Sequence, residues 1–135
     1  MKTQVIVKEN EKKDLMTDTR KHSFNVEELN RIGNNDESFN RMMLDKFASA
    51  VSECSSIMMD ALANADWKRI KTMAHKSIPS YSIMGLEEIV ADLKYIESYA
   101  DVINENYGIP DLVKLVDSKN KKVLSEIKDY LKHTE

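Results

Sequence analysis

Along most of the chain, apolar residues recur at steps of three and four, the spacing that lines one face of a helix. From Asn25, a residue suited to capping, "NVEELNRIG" places acidic residues in a first turn and Gly33 at the end, which predicts a short helix. Asn35 or Asp36 is expected to cap a second, much longer helix. In it Phe39, Met43, Phe47, Ala50, Cys54, Ile57 and Ala61 form one apolar row, and Leu44, Val51, Met58 and Leu62 form another. Two rows predict a helix packed on two sides. "ANAD" makes a short joint, with Asp66 as the cap of a third helix. That helix is expected to bury Trp67, Ile70, Ala74, Ser77 and Tyr81, flanked by Met73 and Ile78. After Gly85 a fourth helix carries Leu86, Ile89, Leu93, Ile96, Ala100 and Ile103 and is expected to end near "NYG". Pro110 suits the first turn of a fifth, whose inward row is Val113, Val116, Val123, Leu124, Ile127 and Leu131.

Only "QVIV" near the start alternates at period two, and three glycines and two prolines are too few to punctuate many short strands. The fold class that follows is all-α: an antiparallel up-down four-helix bundle with a short extra N-terminal helix. Residues 1–23 lack periodicity and read as a polar flexible tail or linker, and residues 24–135 as one domain. Composition narrows the function. A net charge of −3 lacks the basic excess of a nucleic-acid binder, so no nucleic acid is expected. The absence of a long apolar run or a secretory signal leads to the expectation of a cytoplasmic protein without direct membrane contact. Cys54 stands alone, which leaves no internal disulfide and no cysteine-based metal cluster.

The third helix carries the most suggestive chemistry. With Ile70 and Ala74 inward, a rotation of about 100° per residue takes His75 off the buried stripe and towards solvent. Lys71 and Thr72 lie one turn before it, Lys68 a further turn back, and Lys76 is adjacent, so residues 66–82 hold four basic side chains against Asp66. Such a patch favours an anionic visitor. Pro79 lacks the N–H that would bond the His75 carbonyl. It is expected either to bend the helix and help present the imidazole, or to end the helix early. Elsewhere, His22 and His133 lack a second histidine at metal-pair spacing. Glu87, Glu88 and Asp92 read as a solvated face. Tyr95, Tyr99, Tyr107 and Tyr130 are expected to be partly buried packing.

The segment "ADWKRIKTMAHKSIPSYSIMGL", with its "DW…AH" and Gly85 ten residues after the histidine, is preceded by "LNRIGNND" and the long "ESFNRMMLDKFASAVSECSSIMMDAL". Over residues 24 to about 132 this arrangement resembles the histidine-containing phosphotransfer (HPt) family. The resemblance implies a four-helix bundle whose exposed histidine, here His75, accepts a phosphoryl group from a receiver-domain aspartate and hands it to another receiver. It implies a phosphotransfer intermediate, either free-standing or part of a hybrid sensor histidine kinase, that works as a monomer. The chain itself would bind no metal or cofactor, since Mg²⁺ comes with the partner response regulator receiver domain. The family commonly has lysine and glycine three and four residues after its histidine, where this sequence has Ile78 and Pro79. Lys71, Lys76 and Lys68 are therefore the expected phosphate-proximal cations, with Thr72 or Ser82 as hydrogen-bond donors. Ile32, Met42 and Ile78 are expected to meet the receiver, and Pro79 and Gly85 to shape the helix near the site. Two other classes stand beside this one. One is a degenerate relative that docks receivers without carrying phosphate. The other is a metal-dependent four-helix enzyme, which the lack of inward Glu-x-x-His motifs argues against.

Overall fold

A computed structural model describes residues 23–102 and 108–133. Five helices follow one another: α1 (Val26–Ile32), α2 (Glu37–Ala63), α3 (Trp67–Ile83), α4 (Glu87–Tyr99) and α5 (Ile109–His133). No strand occurs among the described residues. The starts follow local chemistry. The carboxamide or carboxylate oxygens of Asn25, Asp36 and Asp66 accept from the backbone N–H groups of Glu28, Phe39 and Arg69 at 2.9, 3.2 and 3.1 Å, satisfying donors that a helix leaves open at its N-terminus. Asp36 rather than Asn35 is thus the cap of α2.

The ends of α1, α2 and α3 share one solution. Asn35, Asp66 and Leu86 each donate from N–H to the carbonyl five residues back (Asn30, Ala61, Tyr81), at 2.9, 2.8 and 3.0 Å. In each joint the preceding residue is left-handed: Asn34 at φ 55°, Ala65 at 52° and Gly85 at 73°. Gly33 does not take that role. Its φ is −89°, and its lack of a side chain matters for space, because an added Cβ would run into the ring of Phe39 and lie 2.7 Å from Asn40 Oδ1. Gly85 is needed twice, for its left-handed backbone and because an added Cβ would lie 2.9 Å from that of Asn25. The Asn25 N–H also donates to the Met84 carbonyl at 2.8 Å, which ties the start of α1 to the end of α3.

Around one core, α2 packs on α3 and α5, and α4 packs on the same two helices. Leu44, Val51, Ile70, Ala74, Tyr81, Leu93 and Ile96 are fully excluded from solvent. The buried stripe of α2 runs Leu44, Phe47, Val51, Cys54, Met58 and Ala61, between the two rows read from the sequence, while Phe39, Met43, Ala50, Ile57 and Leu62 are half-buried at its edges. Inside the core the Tyr81 hydroxyl donates to Asn120 Oδ1 at 2.7 Å, and Asn120 Nδ2 donates to Ser55 Oγ at 2.8 Å, joining α3, α5 and α2. Burial, with a smaller push from nearby Cys54, raises the Tyr81 pKa far above that of a free phenol, so the hydroxyl is a permanent donor. Arg41 donates to the Leu131 carbonyl at 2.9 Å, and Phe24 packs edge-on against Tyr130.

Other expectations change. Helix α4 ends at Tyr99; Ile103, Tyr107 and His22 lie outside the described residues. Trp67 is only half-buried; Tyr95 and Tyr99 are partly exposed and lie against each other, ring centroids 4.8 Å apart. Helix α3 does not stop at Pro79 but continues to Ile83. No helix among the described residues is long and apolar enough to cross a membrane.

The left-handed positions make a paired prediction. Ala65→Gly relieves the strain of a side chain at φ 52° and raises stability by up to about 1 kcal/mol, whereas Gly85→Ala lowers it by about 1 kcal/mol or more. Urea denaturation of the two variants, read by circular dichroism, checks both signs.

Candidate functional site

Helix α3 is fixed in rotation by its buried face of Ile70, Ala74, Ser77 and Tyr81, so His75 emerges at the edge that adjoins α4, with about three-quarters of its side chain exposed. There Glu97 of α4 meets it: His75 Nδ1 and Glu97 Oε2 are 2.5 Å apart. An ionised carboxylate only accepts, so Nδ1 carries the proton and donates it. The consequence is chemical. With Nδ1–H committed, the free lone pair of a neutral imidazole sits on Nε2, which has no hydrogen-bond partner among the described residues. The pair is a nucleophilic nitrogen facing solvent, oriented by a carboxylate from the neighbouring helix.

The cations expected around it are partly committed. Lys71 Nζ lies 3.2 Å from Asp101 Oδ1 at the end of α4, and Lys76 Nζ lies 3.6 Å from Glu53 Oε1 on α2. The basic face seen in sequence is therefore met by Glu53, Glu97 and Asp101 from both flanks, and its local excess of positive charge largely disappears. Lys76 points towards α2, while Lys71 shares the α4 edge with His75. Lys68 and Thr72 are exposed on the outer surface of α3, two turns and one turn before His75. Ser82 is exposed two turns beyond it. Pro79, one turn beyond, is exposed and still deprives the His75 carbonyl of its helical N–H partner.

Of the three apolar residues expected at a docking surface, Ile32 and Met42 are exposed, but Ile78 is half-buried and packs against the core. It therefore belongs to packing rather than to an open surface. Gly85 sits at the α3–α4 joint, about 15 Å along the helix axis from His75, and shapes the fold rather than the site. Ile83, absent from those expectations, is half exposed at the C-terminal end of α3, the fourth residue after Pro79 and the eighth after His75. Those four-residue steps were the available signal. Ile83 borders a small apolar pocket of about 130 Å³ with Met43, Phe47 and Ala50, rimmed by Lys46. Glu97 is absent from those expectations as well, because no spacing within one helix reveals which residue of another helix will face it.

Among the described residues no group of three or more His, Cys, Asp or Glu side chains is arranged to hold a metal ion. His133 is bonded to its own helix, at 2.8 Å from the Asp129 carbonyl. Compared with known proteins, the chain matches no family model, no curated protein and no solved structure.

The tautomer is directly observable. In the intact chain, ¹⁵N NMR of the neutral imidazole should show Nδ1 protonated and Nε2 bare. In Glu97→Ala the population shifts towards the Nε2–H form that free imidazole side chains prefer. An unchanged tautomer ratio in that variant would remove Glu97 from the site.

Proposed function

We propose that this chain is a phosphorelay carrier of the HPt type, accepting a phosphoryl group on His75 from the aspartyl phosphate of a receiver domain and passing it to another receiver. The observation that carries the reading is the exposed imidazole whose Nδ1 is held by Glu97 and whose Nε2 is open to solvent. The fold proposed with it is an antiparallel up-down four-helix bundle of α2 to α5 with α1 as an extra N-terminal element. The order of cross-helix partners supports this arrangement: Lys71 with Asp101 and His75 with Glu97 run in opposite directions along α3 and α4, and Arg41 near the start of α2 reaches Leu131 near the end of α5.

The chemistry asks little of such a carrier. The Nε2 lone pair attacks phosphorus in line as the P–O bond to the receiver aspartate breaks, and the electron pair leaves with that carboxylate. The Nδ1 proton stays on the ring, in its bond to Glu97. In the return step neutral imidazole is the leaving group, because that proton is retained. Positioning and charge neutralisation supply most of the acceleration, and Mg²⁺ resides on the receiver. The proposed partner is a receiver domain that seats over His75 and uses Met42, Ile83 and Ile32 as apolar contacts in a small, transient interface. A cytoplasmic location, a monomeric state and the absence of nucleic-acid or membrane partners complete the proposal. Free-standing and hybrid-kinase contexts are both compatible with it.

The test is transfer of label. Incubated with Mg²⁺-loaded phosphorylated receiver domains, the intact chain takes up phosphoryl that is labile to acid and stable to base. His75→Gln takes up none, and Glu97→Ala takes it up about tenfold or more slowly. Measurable receiver binding with no label from any donor would instead make the chain a docking module.

A further inference from the structure

A phosphoryl group on Nε2 brings about two negative charges to an edge of α3 where the Glu97 carboxylate already stands. The ring that keeps its Nδ1 proton offsets one of those charges, and a further cation that is not already neutralised stabilises the loaded state against the repulsion that remains. Lys71 is held by Asp101 and Lys76 by Glu53, the latter on the opposite flank of the helix. Lys68 lies two turns back, about 10 Å along the axis.

Lys94 is different. It is exposed, and it has no ion pair or hydrogen bond among the described residues. Its place follows from the register of the two helices. Lys71 meets Asp101, and four residues later His75 meets Glu97, four residues earlier on α4. One more turn in the same sense sets position 94 opposite Ile78, directly beside the His75–Glu97 pair. Positions 94 and 97 are three apart on α4, so Lys94 shares the face from which Glu97 reaches α3, with Asp101 just past the end of the same helix. Ile78, half-buried and apolar, offers its ammonium nothing to bond.

We propose that Lys94 is the phosphoryl-contacting cation of this site. Resting on the reading that His75 carries phosphate, the assignment moves the counter-charge from the histidine's own helix to the neighbouring one. Lys94 and Glu97 then act as a pair on one face of α4: the carboxylate holds the Nδ1 proton and the ammonium turns to the phosphoryl oxygens. Before loading, Lys94 faces solvent. After loading, it offsets the repulsion between the phosphoryl group and Glu97.

Phosphoramidate, a small phosphoryl donor that modifies exposed imidazoles, separates this proposal from the wider reading because it needs no receiver. The full chain is loaded with it, and the half-life of phosphohistidine is followed together with the ¹⁵N shift of the Lys94 ammonium. Transfer from a phosphorylated, Mg²⁺-loaded receiver is measured in parallel. The expected results are a shift of the Lys94 signal on loading and a fall in transfer rate of about tenfold to a hundredfold in Lys94→Ala. Lys94→Glu should be slower still, and Lys94→Arg should restore most of the rate. Lys71→Ala and Lys76→Ala should stay within about threefold of the intact chain. A Lys94 signal that ignores loading, or a larger loss in either α3 variant than in Lys94→Ala, overturns the assignment even if receivers label His75 normally. Loading by phosphoramidate with the Lys94 shift, but no transfer from any receiver, upholds the assignment of the cation and refutes the relay.

Discussion

The rotation of α3 about its own axis is set by Ile70, Ala74 and Tyr81, three side chains that solvent does not reach at all. Turning the helix would expose them and bury charged neighbours, and the loss of one large buried side chain alone costs a few kcal/mol. Tyr81 adds direction to this constraint, because its hydroxyl must find Asn120, which in turn must find Ser55. Once the core has fixed that face, His75 has one place to be: the outer edge of α3 beside α4, where Glu97 meets it. The site is thus a consequence of core packing two residues to one side and one residue to the other.

Electrostatics around the imidazole acts on direction more than on stability. The ion pairs of Lys71 and Lys76 are well exposed, and pairs of that kind contribute little to folding. Their effect is to commit two lysines of α3 to carboxylates on either flank while leaving Nε2 of His75 clear. The contrast with Lys119 is informative. Burial works against its charge, but bonds to Asp92 and Glu88 outweigh that cost and hold its pKa above the usual lysine value, as a structural clasp between α5 and α4. Near His75 the lysine–carboxylate pairs are longer and more exposed.

Legibility from the sequence followed the range of the interaction. Helix starts at Asn25 and Asp66 could be read, and that of α2 narrowed to Asn35 or Asp36, because each cap bonds a neighbour three residues away. So could the inward face of α3 and the exposure of His75, which follow from spacing alone. The ends were harder: three joints close with the same bonds, yet glycine marks the left-handed position in only one of them, Asn34 and Ala65 serving in the others. The long α2 offered two apolar rows of similar weight, and the true stripe combines members of both. Ile78 looked available from its own helix, but it packs against the core and is only partly open. Glu97 was out of reach, since its meaning depends on how α4 slides against α3, a quantity decided by packing across the core. The same register brings Lys94 into view.

Nε2 of His75 is the nitrogen on which carriage of phosphate depends. With His75 loaded from a phosphorylated receiver, heteronuclear NMR correlating ³¹P with the ring nitrogens reads out which of the two carries phosphorus. The account predicts a single species bonded through Nε2, with Nδ1 still protonated against Glu97. Phosphorus on Nδ1, or on any side chain other than His75, would contradict it.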